Sequence, residues 1–180
     1  MTATRPRRGV IAPLLRRLAT AFALGGGAAA LAVAVMTVTS IGLRALTSRP
    51  IEGDVELTQF GIALAISLML PWCQLRGANI IVDFFSQNLP PARLRRLDGI
   101  GALLIAVMFA LLSWRTGVGA LAVHAAGETS MIRSLPMWWV YASLAPGLAL
   151  AALIALLQAT LHLRGLSLDR LNPMQGGDTP

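Results

Sequence analysis

Few side chains in this sequence are equipped for chemistry. Cys73 is the lone cysteine, so the chain forms no internal disulfide, no CxxC redox pair and no cysteine zinc cluster. Of the two histidines, His124 falls in a connection and His162 at the end of an apolar run. A bis-histidine haem needs imidazoles facing each other across helices, and this placement does not predict one. The remaining polar groups suit contact rather than reaction. Arg76, Asn79 and Asp83 recur at i, i+3 and i+7, on a different helical face from Ile80, Ile81, Phe84, Phe85 and Leu89. A short helix divided in that way lies in the headgroup plane or docks on a neighbouring protein. Arg76 and Asp83 stand two turns apart, too far for an easy ion pair along one helix, so separate partners are expected. Glu52, Asp54 and Glu56 gather just ahead of an apolar run, and Pro136, Trp138, Trp139 and Tyr141 form an aromatic anchor of the kind that settles at a membrane interface. No catalytic, metal-binding or cofactor-binding residue is predicted, and no cofactor.

The elements that must carry these residues are apolar. Over 180 residues the chain is 56% hydrophobic and only 13% charged, against roughly 25% charged in soluble domains, which excludes a soluble enzyme. All 15 cationic residues are arginine and the net charge is +7, yet the arginines lie in short connections between apolar runs, which argues against nucleic-acid binding. Four runs are long enough to cross a bilayer, at about 18–43, 57–75, 99–116 and 136–163. They divide the chain into a basic tail (1–17), a membrane domain (18–163) and a second tail (164–180). The first run is about twice the length of a signal-peptide core and is read as retained. Pro71 should kink the second span, and Pro90 and Pro91 close the amphipathic segment. With alternating spans, 11 arginines share the side of both tails and 4 lie opposite, which predicts cytoplasmic termini.

Within these spans no ionisable residue sits mid-membrane. Thr37, Thr39, Ser67, Ser143 and Gln158 are expected to hydrogen-bond along or between helices. Small residues recur every fourth position as Ala21, Gly25 and Ala29, as Ala102, Ala106 and Ala110, and as Gly147, Ala151, Ala155 and Ala159. Such rows let helix backbones approach, although an alanine-rich composition also produces the spacing. Gly25-Gly26-Gly27 points to close packing or a bend. No internal or inverted repeat marks a self-contained transporter.

Three stretches, in order, resemble the small membrane subunit, DctQ-like, of tripartite ATP-independent periplasmic (TRAP) transporters. They are Gly53-Asp54-Val55-Glu56-Leu57; Arg76-Gly77-Ala78-Asn79-Ile80-Ile81-Val82-Asp83 followed by Leu89-Pro90-Pro91; and Ser130 with Pro136-Met137-Trp138-Trp139-Val140-Tyr141 and Pro146-Gly147. The resemblance covers about Leu18 to Leu163. It departs at Asn79, where many members carry a titratable histidine. The expected fold is an all-α membrane protein: four transmembrane helices, a short amphipathic interfacial helix between spans two and three, and both termini in the cytoplasm. The resemblance implies a non-enzymatic accessory subunit in the bacterial inner membrane. A large DctM-like subunit would carry the substrate and sodium sites, and a periplasmic DctP-like solute-binding protein would deliver an organic acid such as a dicarboxylate. Besides membrane lipid, those two proteins are the expected partners. Arg76, Asn79 and Asp83 are the subunit-contact candidates on the cytoplasmic side, with Glu56, Trp138, Trp139 and Tyr141 on the outer side. A membrane anchor of a respiratory oxidoreductase and a small stand-alone exporter are the competing readings. The first would place haem histidines or quinone-site charges within the spans, and the second an intramembrane acid.

Overall fold

The computed structural model describes residues 11–76 and 91–165. They form four helices, α1 (Ile11–Thr47), α2 (Asp54–Leu75), α3 (Pro91–Ala126) and α4 (Trp138–Leu163), each long and apolar enough to cross a membrane. Among the described residues the only β-type pairing is an isolated bridge between Thr129 and Pro136. The amphipathic segment after Arg76 and the outer parts of both tails, residues 1–10 and 166–180, lie outside the described residues, whereas residues 11–17 of the expected first tail already belong to α1.

Local chemistry sets the helix ends, and these do not coincide with the ends of the apolar runs. Pro91 opens α3 at the first helical position, where its missing N–H costs nothing. Gly127, at φ 66°, closes it: its N–H donates to the His124 carbonyl (3.1 Å), and Glu128 N–H donates to the Val123 carbonyl (3.2 Å). That is a Schellman ending. The helix therefore runs ten residues past Thr116, and Arg115, expected near the outer end of its span, stands well inside it. α1 likewise begins before Arg16 and Arg17. α4 starts at Trp138, two residues after the proline that opens the apolar run.

Neighbours in sequence are not always neighbours in space. α1 packs on α2, α2 on α4, and α4 on α3, so the helices form an open row in the order α1, α2, α4, α3. α1 reaches α4 at one end only, through a cluster of Leu15, Ala19, Leu75, Leu150 and Ile154. A third of the most apolar stretch of α4 is buried, against 6% of that of α1, which makes α4 the central helix. Along α1, Leu24, Leu31, Val35, Val38 and Ile41 are all exposed.

Apolar side chains gain nothing by leaving lipid for one another, so small residues and hydrogen bonds must hold the row together. The α2–α4 crossing shows how. Pro71 has no N–H, which deprives the Ser67 carbonyl of its helical partner. That carbonyl abuts Gly147, where any Cβ would run into it and into Ser67 Oγ. Ser67 Oγ in turn donates to the Leu144 carbonyl (2.7 Å), and Ser113 of α3 donates to the Ala145 carbonyl (2.9 Å). Both acceptors immediately precede Pro146, so the proline turn of α4 is grasped from two sides. Further along the same seam the buried Gln74 and Gln158 are joined by two hydrogen bonds. Gln74 Nε2 donates to Gln158 Oε1 (2.7 Å), and Gln158 Nε2 donates to the Gln74 carbonyl (2.8 Å).

The small-residue rows divide accordingly. Gly147, Ala151, Ala155 and Ala159 are all buried, as are Ala102 and Ala106, whereas Ala110, Ala21 and Gly25 are exposed. On α1 the close approach is made by Gly26, where a Cβ would sit 2.9 Å from the Ala65 carbonyl oxygen of α2. Thr20, Thr37, Thr39 and Thr47 each bond the carbonyl four residues back.

Gly147→Val should destabilise the purified chain by ~1–3 kcal/mol, read as a lower thermal midpoint in detergent. Gly101→Ala, with open space around it, should not lower the midpoint and should raise it, since alanine favours a helix interior over glycine by ~1 kcal/mol. A double-mutant cycle on Gln74→Leu and Gln158→Leu should give a coupling of about 0.6 kcal/mol and no more than ~2 kcal/mol.

Candidate subunit-contact surfaces

The two ends of the bundle hold the polar chemistry, and each end is built differently. At the end remote from Ile11 and Leu163, two carboxylates in the first turn of α2 tie down two separate corners. Asp54 Oδ2 accepts from Ser40 Oγ (2.6 Å) and faces Arg44 at 3.9 Å, while Ser40 Oγ accepts from Ile51 N–H (3.3 Å). Ser40 is fully buried by this arrangement, which fixes the α1–α2 turn. Glu56 fixes the α3–α4 connection. Its Oε2 accepts from Ser130 Oγ (2.8 Å) and Arg133 N–H (3.3 Å), and its Oε1 accepts from Ile132 N–H (2.9 Å).

Ser130 sits at the centre of that loop. Its hydroxyl also accepts from Leu135 N–H (3.1 Å), and its own N–H donates to the Leu135 carbonyl (2.9 Å). Ser134 adopts a left-handed backbone at φ 53°, a conformation that persists where surrounding bonds over-determine it. Held this way, the loop presents Met131 fully exposed.

The aromatic residues follow directly. Trp138 meets His124 of α3 edge to face, with centroids 5.0 Å apart and planes at 81°, and meets Trp139 at 5.9 Å. Tyr141 lies against Gly119 of α3, and Trp139 is 64% exposed. Trp138 and Tyr141 thus pack partly within the chain, and Trp139 faces outward. Glu56 joins this group only through the loop that it holds, with its acceptors engaged inside the chain.

At the other end, Arg76 caps α2, its backbone N–H donating to the Trp72 carbonyl (3.1 Å) and its guanidinium 4.9 Å from the centroid of the Trp72 ring. The stacked arginine is exposed. Asn79 and Asp83 lie outside the described residues. His162 sits at this end beside Gly99, whereas His124 is at the far end, so the two imidazoles cannot ligate one haem. Among the described residues no three His, Cys, Asp or Glu side chains gather closely enough to hold a metal ion. An open apolar groove of about 1240 Å³ follows the α3–α4 seam, with Ala106, Ala110, Gly117, Ala145 and Ala149 among its lining residues.

Sequence reasoning selected Glu56 and the tryptophans but not the partners of Glu56, since 74 residues separate it from Ser130. Glu56→Ala should free the loop without unfolding the helices. Amide hydrogen exchange across residues 128–137 is expected to accelerate about tenfold or more, with helical circular dichroism unchanged. The exposed Glu52→Ala should leave exchange as it is.

A family model described as "Tripartite ATP-independent periplasmic transporters, DctQ component" matches residues 33–165. No curated protein and no solved structure matches the chain significantly. The matched segment takes in residues 33–47 of α1, the bonds made by Asp54 and Glu56, the α2–α4 crossing and the whole α3–α4 pair. The chain belongs to the DctQ family, the small membrane component of TRAP transporters.

Proposed function

We propose that this DctQ component works as a brace, a passive membrane partner that holds a large DctM-like subunit in place while that subunit moves the solute. The observation that carries this reading is the neutrality of the helix seams. Among the described residues the buried polar side chains are Ser40, Ser67, Gln74, Ser130 and Gln158, and none is charged. All their buried polar atoms have hydrogen-bond partners. A carrier of a charged solute or an ion needs a binding group in the membrane, and intramembrane charges are the usual mark of one. Here every such seam is closed by helix-to-helix bonds. The open row of helices, with broad apolar faces on α1 and α3, fits a subunit that packs against another membrane protein.

On this reading the complex sits in the bacterial inner membrane, with both termini of this chain in the cytoplasm. A periplasmic DctP-like protein delivers an organic acid, and a sodium gradient drives uptake through the large subunit. Arg76, Asn79 and Asp83 serve as contacts on the cytoplasmic side. On the periplasmic side Trp139 is available for contact, with Glu56, Trp138 and Tyr141 shaping the surface beside it.

Two measurements test the proposal. Vesicles carrying this chain together with the large subunit and the binding protein should accumulate solute under an ion gradient. Vesicles with this chain alone should not, and uptake by the chain alone would refute the bracing role. For orientation, Met131→Cys in a Cys73→Ser background should react with a membrane-impermeant maleimide from the periplasmic face of intact spheroplasts. Labelling only in inverted vesicles would reverse the assignment.

A further inference from the structure

Arg115 stands apart from every other arginine of the described residues. α3 and α4 run antiparallel, with Gly99 against Leu163, Gly119 against Tyr141 and His124 against Trp138. Arg115 is nine residues before His124, which places its Cα about 13 Å inside the level of the interfacial Trp138. An arginine side chain does not reach that far, so a guanidinium at this depth falls short of the level of Trp138 and Trp139 and shares its own level with the exposed Trp114.

Its direction is equally telling. Arginines within membrane helices ordinarily face the bundle interior and find a partner there. Arg115 is exposed, on the side of α3 turned away from the buried Ala102 and Ala106. It has no carboxylate within ion-pair distance among the described residues, whereas Arg44 has Asp54. Leu104, Met108, Leu111 and Val118 fall at helical spacing with it and are all exposed, so the charge interrupts an otherwise continuous apolar stripe about 20 Å long.

We propose that this stripe of α3 is the seat of a transmembrane helix of the large subunit, and that the helix presents a carboxylate to Arg115. The proposal rests on the bracing role and specifies its chemistry. Guanidinium and carboxylate form paired, charge-assisted bonds, which lipid chains at this depth cannot supply. Such a contact fixes depth and rotation between two apolar surfaces that would otherwise slide.

The test uses Arg115→Leu in the full chain, alone and co-expressed with the large subunit. The isolated variant should be as thermally stable as the parent or more so, since a charge has left the apolar face. Its recovery with the large subunit should fall about tenfold, and Arg115→Lys should restore most of it. Photo-crosslinking with benzoylphenylalanine in place of Leu111 should capture the large subunit, and the same group in place of Val38 on α1 should not. Undiminished recovery of Arg115→Leu would overturn the proposal, as would capture from Val38 but not from Leu111. Failure of the parent chain to co-purify with the large subunit would instead overturn the bracing role.

Discussion

Everything in this fold depends on the place where two proline-containing helices touch. In lipid an unbonded carbonyl has no water to turn to, and each one left open costs several kcal/mol. Pro71 creates such a carbonyl at Ser67, and Gly147 lets the backbone of α4 come up against it. The serines of α2 and α3 then bond the turn that carries Pro146. α2 and α3 thereby hold the proline turn of α4 from either side, and α4 becomes the element that joins the α1–α2 hairpin to α3.

Charge is kept out of these seams and placed at their ends. Asp54 and Glu56, two residues apart, hold the α1–α2 turn and the α3–α4 loop respectively. One short segment thus registers both connections on the same side of the bundle. The result is a plate of helices whose seams bury no charged side chain and whose outer faces are apolar except at Arg115.

The four crossings were legible from the apolar runs, because hydrocarbon thickness imposes a length that composition cannot hide. The helix ends were less so. Arginine counting marks where the chain leaves the bilayer, whereas Pro91 and Gly127 mark where α3 starts and stops, and the two do not coincide. The alanine rows were only half informative: spacing identified the buried face of α4 but selected Ala21 and Gly25 on α1, whereas the close approach is made by Gly26, within the glycine run that pointed to close packing. Glu56 was selected as a contact residue, but no local pattern announces a bond to a loop so distant in sequence. The motif stretches that carry the family resemblance turn out to be joined: Glu56 of the first grips Ser130 of the third, and Pro146-Gly147 is the helix crossing itself.

The row order α1, α2, α4, α3 has a consequence for how the chain is made. Helices enter the bilayer as they emerge from the ribosome, so the first hairpin is in place while its proper neighbour is still unsynthesised. Until α4 arrives, the Gln74 side-chain amide lacks its Gln158 partner. α4, translated after α1, α2 and α3, must slip between α2 and α3, and only then is the polar seam of the first hairpin closed.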